Sequence, residues 1–148
     1  MTGTERSALA ELVHRYAASV DDRRFDDVIE LFAEDAELVV PAFPQALDPV
    51  VRHHGHAAIR QALAAVLAVE RTEHAIVGEV YADAGQDRAR GRITCLAHHF
   101  SRHDQQASVL VWHLRYDDNY VRRGQEWLFS RRTLTINATE TRHVGRLR

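Results

Sequence analysis

Ten histidines stand in this chain, and histidine is the side chain whose ordinary pKa best suits it to trade a proton near neutrality. His74 opens a segment in which strand alternation predicts His74, Ile76, Gly78 and Val80 on one face. His98 and His99 close a longer alternating run. Ala89, Gly91, Ile93, Cys95 and Ala97 share the phase of His99, whereas Arg90, Arg92, Thr94 and Leu96 share that of His98. The arginines mark a wet side, so His99 is expected inward and His98 outward, although a single bulge would reverse the two. A histidine among apolar neighbours serves equally well as an acid–base group or as a satisfied core residue. The residues alone leave both readings open.

Carboxylates offer partners for such histidines. Asp21 ends an apolar-faced helix, with Asp22 beside it as a competitor. The helix dipole disfavours negative charge at that end, so a carboxylate there is either solvated or held by a donor. Tyr16, earlier on the same helix, is a candidate phenol donor and equally a core aromatic. Further on, Trp112, Leu114, Tyr116, Asp118 and Tyr120 share one strand phase. Asp118 is read as a binding group or a structural acceptor, with Arg115, Arg122 and Arg131 as its charge partners. Cys95 is the only cysteine, which excludes an intrachain disulfide and gives no support to a thiolate cluster. His98 and His99 point to opposite faces, and no histidine spacing matches a common zinc motif. No metal is expected.

The elements that must position these groups follow from periodicity. Leu9, Leu12, Val13, Tyr16, Ala17 and Val20 recur at helical spacing and predict a helix over 7–20. Phe25, Val28, Ile29, Leu31 and Phe32 predict a second, shorter one. A strand over 36–40 stops at Pro41 and Pro44, a structured flap spans 41–51, and a third helix runs from Ala57 to Val69. Strands then dominate, over about 74–82, 89–102, 107–122 and 127–137, separated by turn-forming residues. Residues 1–6 and 138–148 read as tails of a single domain over 1–148. Helices first and long hairpins afterwards give an α+β class. Strands this long in so short a chain must bend, so a strongly bent mixed sheet packed against three helices of the N-terminal half is expected. Ile93 is the only bulky residue among Ala89, Gly91, Cys95 and Ala97, which predicts room for a ligand on the concave side.

Composition narrows the classes. At 148 residues the chain makes one domain. Its net charge of -2 offers no basic field for nucleic acid. All non-histidine cations are arginines, and Arg122-Arg123 and Arg131-Arg132 read as solvated faces or ion pairs. No apolar stretch approaches a membrane span, and a cytoplasmic protein is the expectation.

Tyr16, the run Val20-Asp21-Asp22-Arg23-Arg24-Phe25-Asp26 and the run Glu30-Leu31-Phe32-Ala33-Glu34-Asp35-Ala36 resemble the opening of the nuclear-transport-factor-2-like superfamily. The nearest branch is the SnoaL-like one of polyketide cyclases and scytalone dehydratases. Segments 55–59, 72–74, 85–90, 116–122 and 127–131 continue the likeness. The resemblance implies a cone-shaped fold around a pocket. It also implies a catalytic histidine at His74, in its Thr72-Glu73-His74 setting, oriented by Asp21, with a second histidine at His99. Tyr16, Tyr116, Asp118 and Trp112 become pocket residues that bind substrate. Tyr116 stands near where the dehydratases carry an asparagine, and Val40 stands where a ketosteroid-isomerase-like enzyme would place its aspartate base. That argues against steroid isomerisation.

The expected activity is that of a lyase or isomerase without a cofactor, acting on a small apolar cyclic or polyketide-like molecule. A non-catalytic ligand-binding or interaction domain, and the small subunit of a ring-hydroxylating oxygenase, are the alternatives. The resemblance implies a homodimer or homotrimer, which open sheet faces bearing Trp112, Trp127 and Phe129 would support.

Overall fold

The first helix begins earlier than hydrophobic periodicity alone suggests. In the computed structural model, which covers residues 1–148, α1 spans Gly3–Asp21 and is capped by Thr2. The Thr2 hydroxyl accepts from the Glu5 N–H, and the Glu5 carboxylate accepts from the Thr2 N–H, a reciprocal cap that satisfies two orphan donors. Residues 1–6 are therefore no tail, and the Met1 amine also pairs with Asp83 at 2.6 Å. The helix buries Leu9, Leu12, Val13, Tyr16, Ala17 and Val20, and each leucine or valine among them contributes roughly 1.5–3 kcal/mol. It ends because Arg23 takes a left-handed φ of 61°, while the Arg24 N–H returns to the Ser19 carbonyl.

The short helix α2 (Phe25–Glu30) leads into β1 (Phe32–Pro41), and β2 (Pro49–His54) leads into α3 (Gly55–Leu63) and a 3-10 turn (Ala64–Ala68). Four strands follow: β3 (Arg71–Asp83), β4 (Arg88–His103), β5 (Gln106–Arg123) and β6 (Glu126–Val144). They form a single curved, unclosed sheet in the order β2-β1-β6-β5-β4-β3. Only β1 and β6 run parallel. Residues 138–144, expected as part of a tail, extend β6 along Ala107–His113 of β5. No helix is long and apolar enough to cross a membrane.

Three bulges break the strand phases of β3 and β6. Val77 is an extra residue in β3, because Ile76 pairs with Cys95 while Gly78 pairs with Thr94. His74 and Ile76 therefore face inward, whereas Gly78 and Val80 turn outward, contrary to the uninterrupted alternation expected. Glu79 and Tyr81 replace them on the inner side, opposite Ile93 and Gly91. Ser130 and Asn137 are extra residues in β6. The Ser130 bulge carries Phe129 and Arg132, rather than Arg131, to the same inner face.

The concave side is better filled than the small residues of β4 suggest. A Cβ added at Gly91 would lie 2.6 Å from the Tyr120 hydroxyl and 2.8 Å from its ring. The space left by glycine thus accommodates a tyrosine from the facing strand. The outer face of the sheet carries Arg90, Arg92, Asp117, Asn119, Arg131 and Thr133 around a recess of about 350 Å³. Phe129 is fully buried, Trp127 lines a recess of about 270 Å³ against α1, and Trp112 faces inward. Of the three rings expected on open sheet faces, Phe129 is thus in the core, Trp112 faces inward and Trp127 is half-buried beside α1.

Candidate active site at the junction of α1 and β3

The left-handed end of α1 brings Asp21 and Arg23 against the start of β3. Asp21 Oδ1 accepts from His74 Nδ1 at 2.6 Å and from the Thr72 hydroxyl at 2.9 Å. Its Oδ2 accepts from the backbone N–H of His74 at 2.8 Å. Arg23 donates to Thr72 Oγ1 at 2.7 Å and to the Val69 carbonyl at 3.5 Å, bracing the same corner. Burial pushes the Asp21 carboxyl pKa up, but hydrogen bonds and charge from His74, joined by Thr72, more than offset this and hold it below the ordinary value. The carboxylate is ionised and can only accept, so Nδ1 carries the imidazole proton. His74 Nε2 makes no hydrogen bond within the chain. The His74 side chain is 8% exposed.

The arrangement has the parts of a general base. A carboxylate fixes the tautomer and orientation of an imidazole and stabilises the cation that forms when Nε2 takes a proton. Asp22, the competing carboxylate, pairs instead with Arg24 at 3.3 Å on the surface.

His99 lies opposite Thr72 on β4, and His74 lies opposite Ala97. The two histidines are thus diagonal neighbours on one face, about 7–8 Å apart at Cα. His99 Nδ1 donates to the Leu110 carbonyl at 3.1 Å, which leaves its Nε2 as an acceptor. Burial lowers the His99 pKa, the Leu110 carbonyl opposes this, and the charge of His74 adds to the lowering. His98 points to the other face, where Nδ1 meets the Glu73 carbonyl at 3.2 Å and the ring stacks on Phe100. Trp112 sits opposite Ala97, its ring 4.5 Å from that of His99 and 4.9 Å from that of Phe43. Phe43 comes from the segment between β1 and β2, which β6 anchors through the Ile136 N–H and the Leu47 carbonyl.

Tyr16, Tyr116 and Asp118 form a separate cluster deeper in the cone. Asp118 accepts from Arg132 Nε at 2.9 Å, from Arg132 Nη2 at 2.8 Å and from the Tyr120 hydroxyl at 2.8 Å. Both side chains of the ion pair are 0% exposed. The arginines expected to neutralise Asp118 are engaged elsewhere: Arg115 with Asp117, Arg122 with Asp87 and Arg131 with Glu37. Arg132 lies 4.2, 3.9 and 4.3 Å from the ring centroids of Tyr16, Tyr116 and Phe129, and its Nη1 has no hydrogen-bond partner. Burial raises the pKa of both phenols, so they stay neutral. A solvated Arg132 is ruled out by this geometry. Both carboxylate oxygens of Asp118 are committed to protein donors, leaving it a structural acceptor in this state rather than an open ligand contact.

Sequence reasoning overlooked Arg132 because period-2 alternation from Phe129 selects Arg131, and only the Ser130 bulge reverses the phase. Arg23 enters the sequence reading only as a member of the run Val20 to Asp26. The signal that could have singled it out is its place two residues after Asp21. No group of three or more His, Cys, Asp or Glu side chains converges in a way that could hold a metal ion.

Comparison with known proteins places this geometry among similar folds. A Novosphingobium aromaticivorans structure provisionally named scytalone dehydratase superimposes with a TM-score of 0.78 at 22% identity, over 98% of this chain and 96% of that one. A hexachlorocyclohexane dehydrochlorinase, LinA type 2, superimposes with a TM-score of 0.78 at 19% identity, over 97% and 91%. In sequence, an uncharacterized protein of Mycobacterium tuberculosis is 29% identical over 132 residues, covering 89% of this chain and 85% of its own. The family model for the SnoaL-like domain matches residues 2–133, and the chain belongs to that family.

Proposed function

We propose that the protein is a cofactor-independent lyase of the dehydratase type, using His74 as its base on a small, largely apolar cyclic or polyketide-like molecule. The observation that carries this reading is the 2.6 Å bond from His74 Nδ1 to an ionised Asp21, with Nε2 free of any partner in the chain. In the reaction, Nε2 removes a proton from a carbon adjacent to an electron-withdrawing group. The C–H electron pair forms the new double bond, the neighbouring C–O bond breaks, and the leaving hydroxyl takes the proton back from the imidazolium to depart as water. Asp21 stabilises the imidazolium between the two transfers. His99 accepts a hydrogen bond at Nε2 from a substrate hydroxyl. Its bond to Leu110 and its lowered pKa suit it to act as an acceptor in the neutral state.

Likeness to a dehydratase-named and a dehydrochlorinase structure supports elimination chemistry, and the family assignment supports a small-molecule site. The direct test is turnover of β-hydroxy ketones by the parent, His74→Ala and Asp21→Asn, with folding checked by circular dichroism. Loss of roughly 100- to 10,000-fold in rate for His74→Ala is expected, the range of general acid–base catalysis. Parental rates in both folded variants would refute the base assignment.

A ligand-binding domain without turnover is the second reading. It is favoured by the bonds from Asp21 to the Thr72 hydroxyl and the His74 backbone, which tie α1 to β3 whether or not chemistry occurs. Under that reading His74→Ala would weaken folding and leave no rate to lose.

A further inference from the structure

We propose that the recess on the outer face of the sheet binds the phosphate monoester of a small molecule. Arg90, Arg92 and Arg131 line it, with Asn119 and Thr133 as neutral hydrogen-bonding groups and Asp117 as the carboxylate on this side. Asp118 also borders the recess, but its side chain is on the inner face, where Arg132 neutralises it. Strand register brings the arginines together. Arg90, Asn119 and Arg131 form one row across β4, β5 and β6, and Arg92, Asp117 and Thr133 form the next. The Cα atoms of Arg90 and Arg131 thus lie two strand spacings apart, about 10 Å, and Arg92 stands about 7 Å along from Arg90. Arginine side chains are long enough to converge over such distances. The Ser130 bulge completes the set, since the shift that sends Arg132 inward turns Arg131 out.

Charge on this face is unbalanced. Asp117 is held by Arg115 at 2.8 Å. Glu37, at the edge, lies 3.7 Å from Arg52 and 3.5 Å from Arg131 Nε, the latter without a hydrogen bond. Arg90 and Arg92 are exposed and pair with no carboxylate, the carboxylates of this face being engaged by Arg115, Arg52 and Arg131. The chain as a whole has a net charge of -2, so this excess of cations is local and suits a compact anion rather than a polynucleotide. Guanidinium forks match phosphate oxygens, and a phosphate monoester brings close to two negative charges and three acceptor oxygens near neutrality. A carboxylate, with one charge and two oxygens, would leave the third arginine unmatched. The recess of about 350 Å³ is also larger than inorganic phosphate fills. Val80 and Ala82, exposed on β3, give it an apolar border for the organic part of the ester.

The test titrates the protein with phenyl phosphate at about 0.15 M ionic strength and follows ¹H–¹⁵N spectra, in which the Asn119 side-chain amide reports on the recess. That amide and the backbone N–H groups of Arg131 and Thr133 are expected to shift. Phenol should leave them in place, and inorganic phosphate should bind several-fold more weakly than its phenyl ester. Arg92→Gln should weaken phenyl phosphate binding roughly tenfold or more, the scale of one charge-assisted hydrogen bond. Arg142→Gln removes the same charge at the far end of β6 and should change the affinity by no more than about twofold, since salt screens exposed charges at that range. The recess and His74 occupy opposite faces of the sheet, so the outcome does not depend on the base assignment. No binding, equal affinity for inorganic phosphate, equal weakening by Arg92→Gln and Arg142→Gln, or shifts centred on His74 in place of Asn119 would overturn the proposal.

Discussion

Asp21 grips His74 at two points, taking the imidazole Nδ1–H on one carboxylate oxygen at 2.6 Å and the backbone N–H on the other at 2.8 Å. The first bond sets the tautomer, and the second fixes the strand from which the ring projects. One side chain therefore serves both the candidate chemistry and the docking of α1 on β3.

This double role gives Asp21 a pH signature. Its folded-state pKa lies below the ordinary value of 3.8, so its stabilising contribution is fully present above that value. The contribution is lost as pH falls through the lower folded-state pKa. Urea denaturation of the parent and Asp21→Asn, compared at pH 7 and near pH 3, should show the parent's advantage shrinking in acid. An advantage that stays constant over that interval would mean that the ionised carboxylate is not what holds the junction.

His99 should titrate below the ordinary histidine value of 6.5, since burial and the charge of His74 both disfavour its cation. Folding then favours neutral His99. The resulting stability is complete above the unfolded-state pKa and declines as pH falls through the folded-state one. Ring-proton NMR should locate this titration, and His74→Ala should move it upward by removing a neighbouring positive charge. A His99 that titrates above 6.5 would contradict the buried placement.

The Arg132–Asp118 pair should be costly to break from one side. Asp118→Ala leaves a buried guanidinium without its counter-charge, and a loss of about 3–5 kcal/mol is expected. Replacing both partners, as in Asp118→Leu with Arg132→Met, should recover much of it, because no unpaired charge then remains. Chemical denaturation of the two variants checks the order. A double variant as unstable as Asp118→Ala would show that shape, rather than charge balance, governs this cluster.

The pairing of Asp21 with His74 was open to inference only through the family resemblance, since the residues alone placed the two without joining them. An apolar helix face ends at one residue, and a Thr-Glu-His segment begins a strand. The phase of His99 was readable because β4 carries no bulge against either neighbour. Arg132 was not, since nothing in a single sequence marks Ser130 as an inserted residue. The expected void failed for a related reason: small residues reveal where space is left, whereas which ring fills it depends on the facing strand, here Tyr120 over Gly91. The ends were misjudged because Thr2 and Glu5 begin α1 through polar capping, and 138–144 pair through backbone with largely exposed side chains. Hydrophobic periodicity is blind to both.

Val77 separates β3 into two halves with opposite phase, one presenting His74 and Ile76 inward, the other Glu79 and Tyr81. The second half holds α1 through His14 and Glu79 at 2.6 Å and through Arg6 and the Tyr81 carbonyl at 3.3 Å. Val77 itself is 58% exposed. Substitution scanning would therefore score it as dispensable, whatever side chain was tried. Its deletion would rotate the outer half of the strand by one position, release the helix and leave His74 where it is. The information at this position lies in chain length, so an experiment that only exchanges side chains will not detect it.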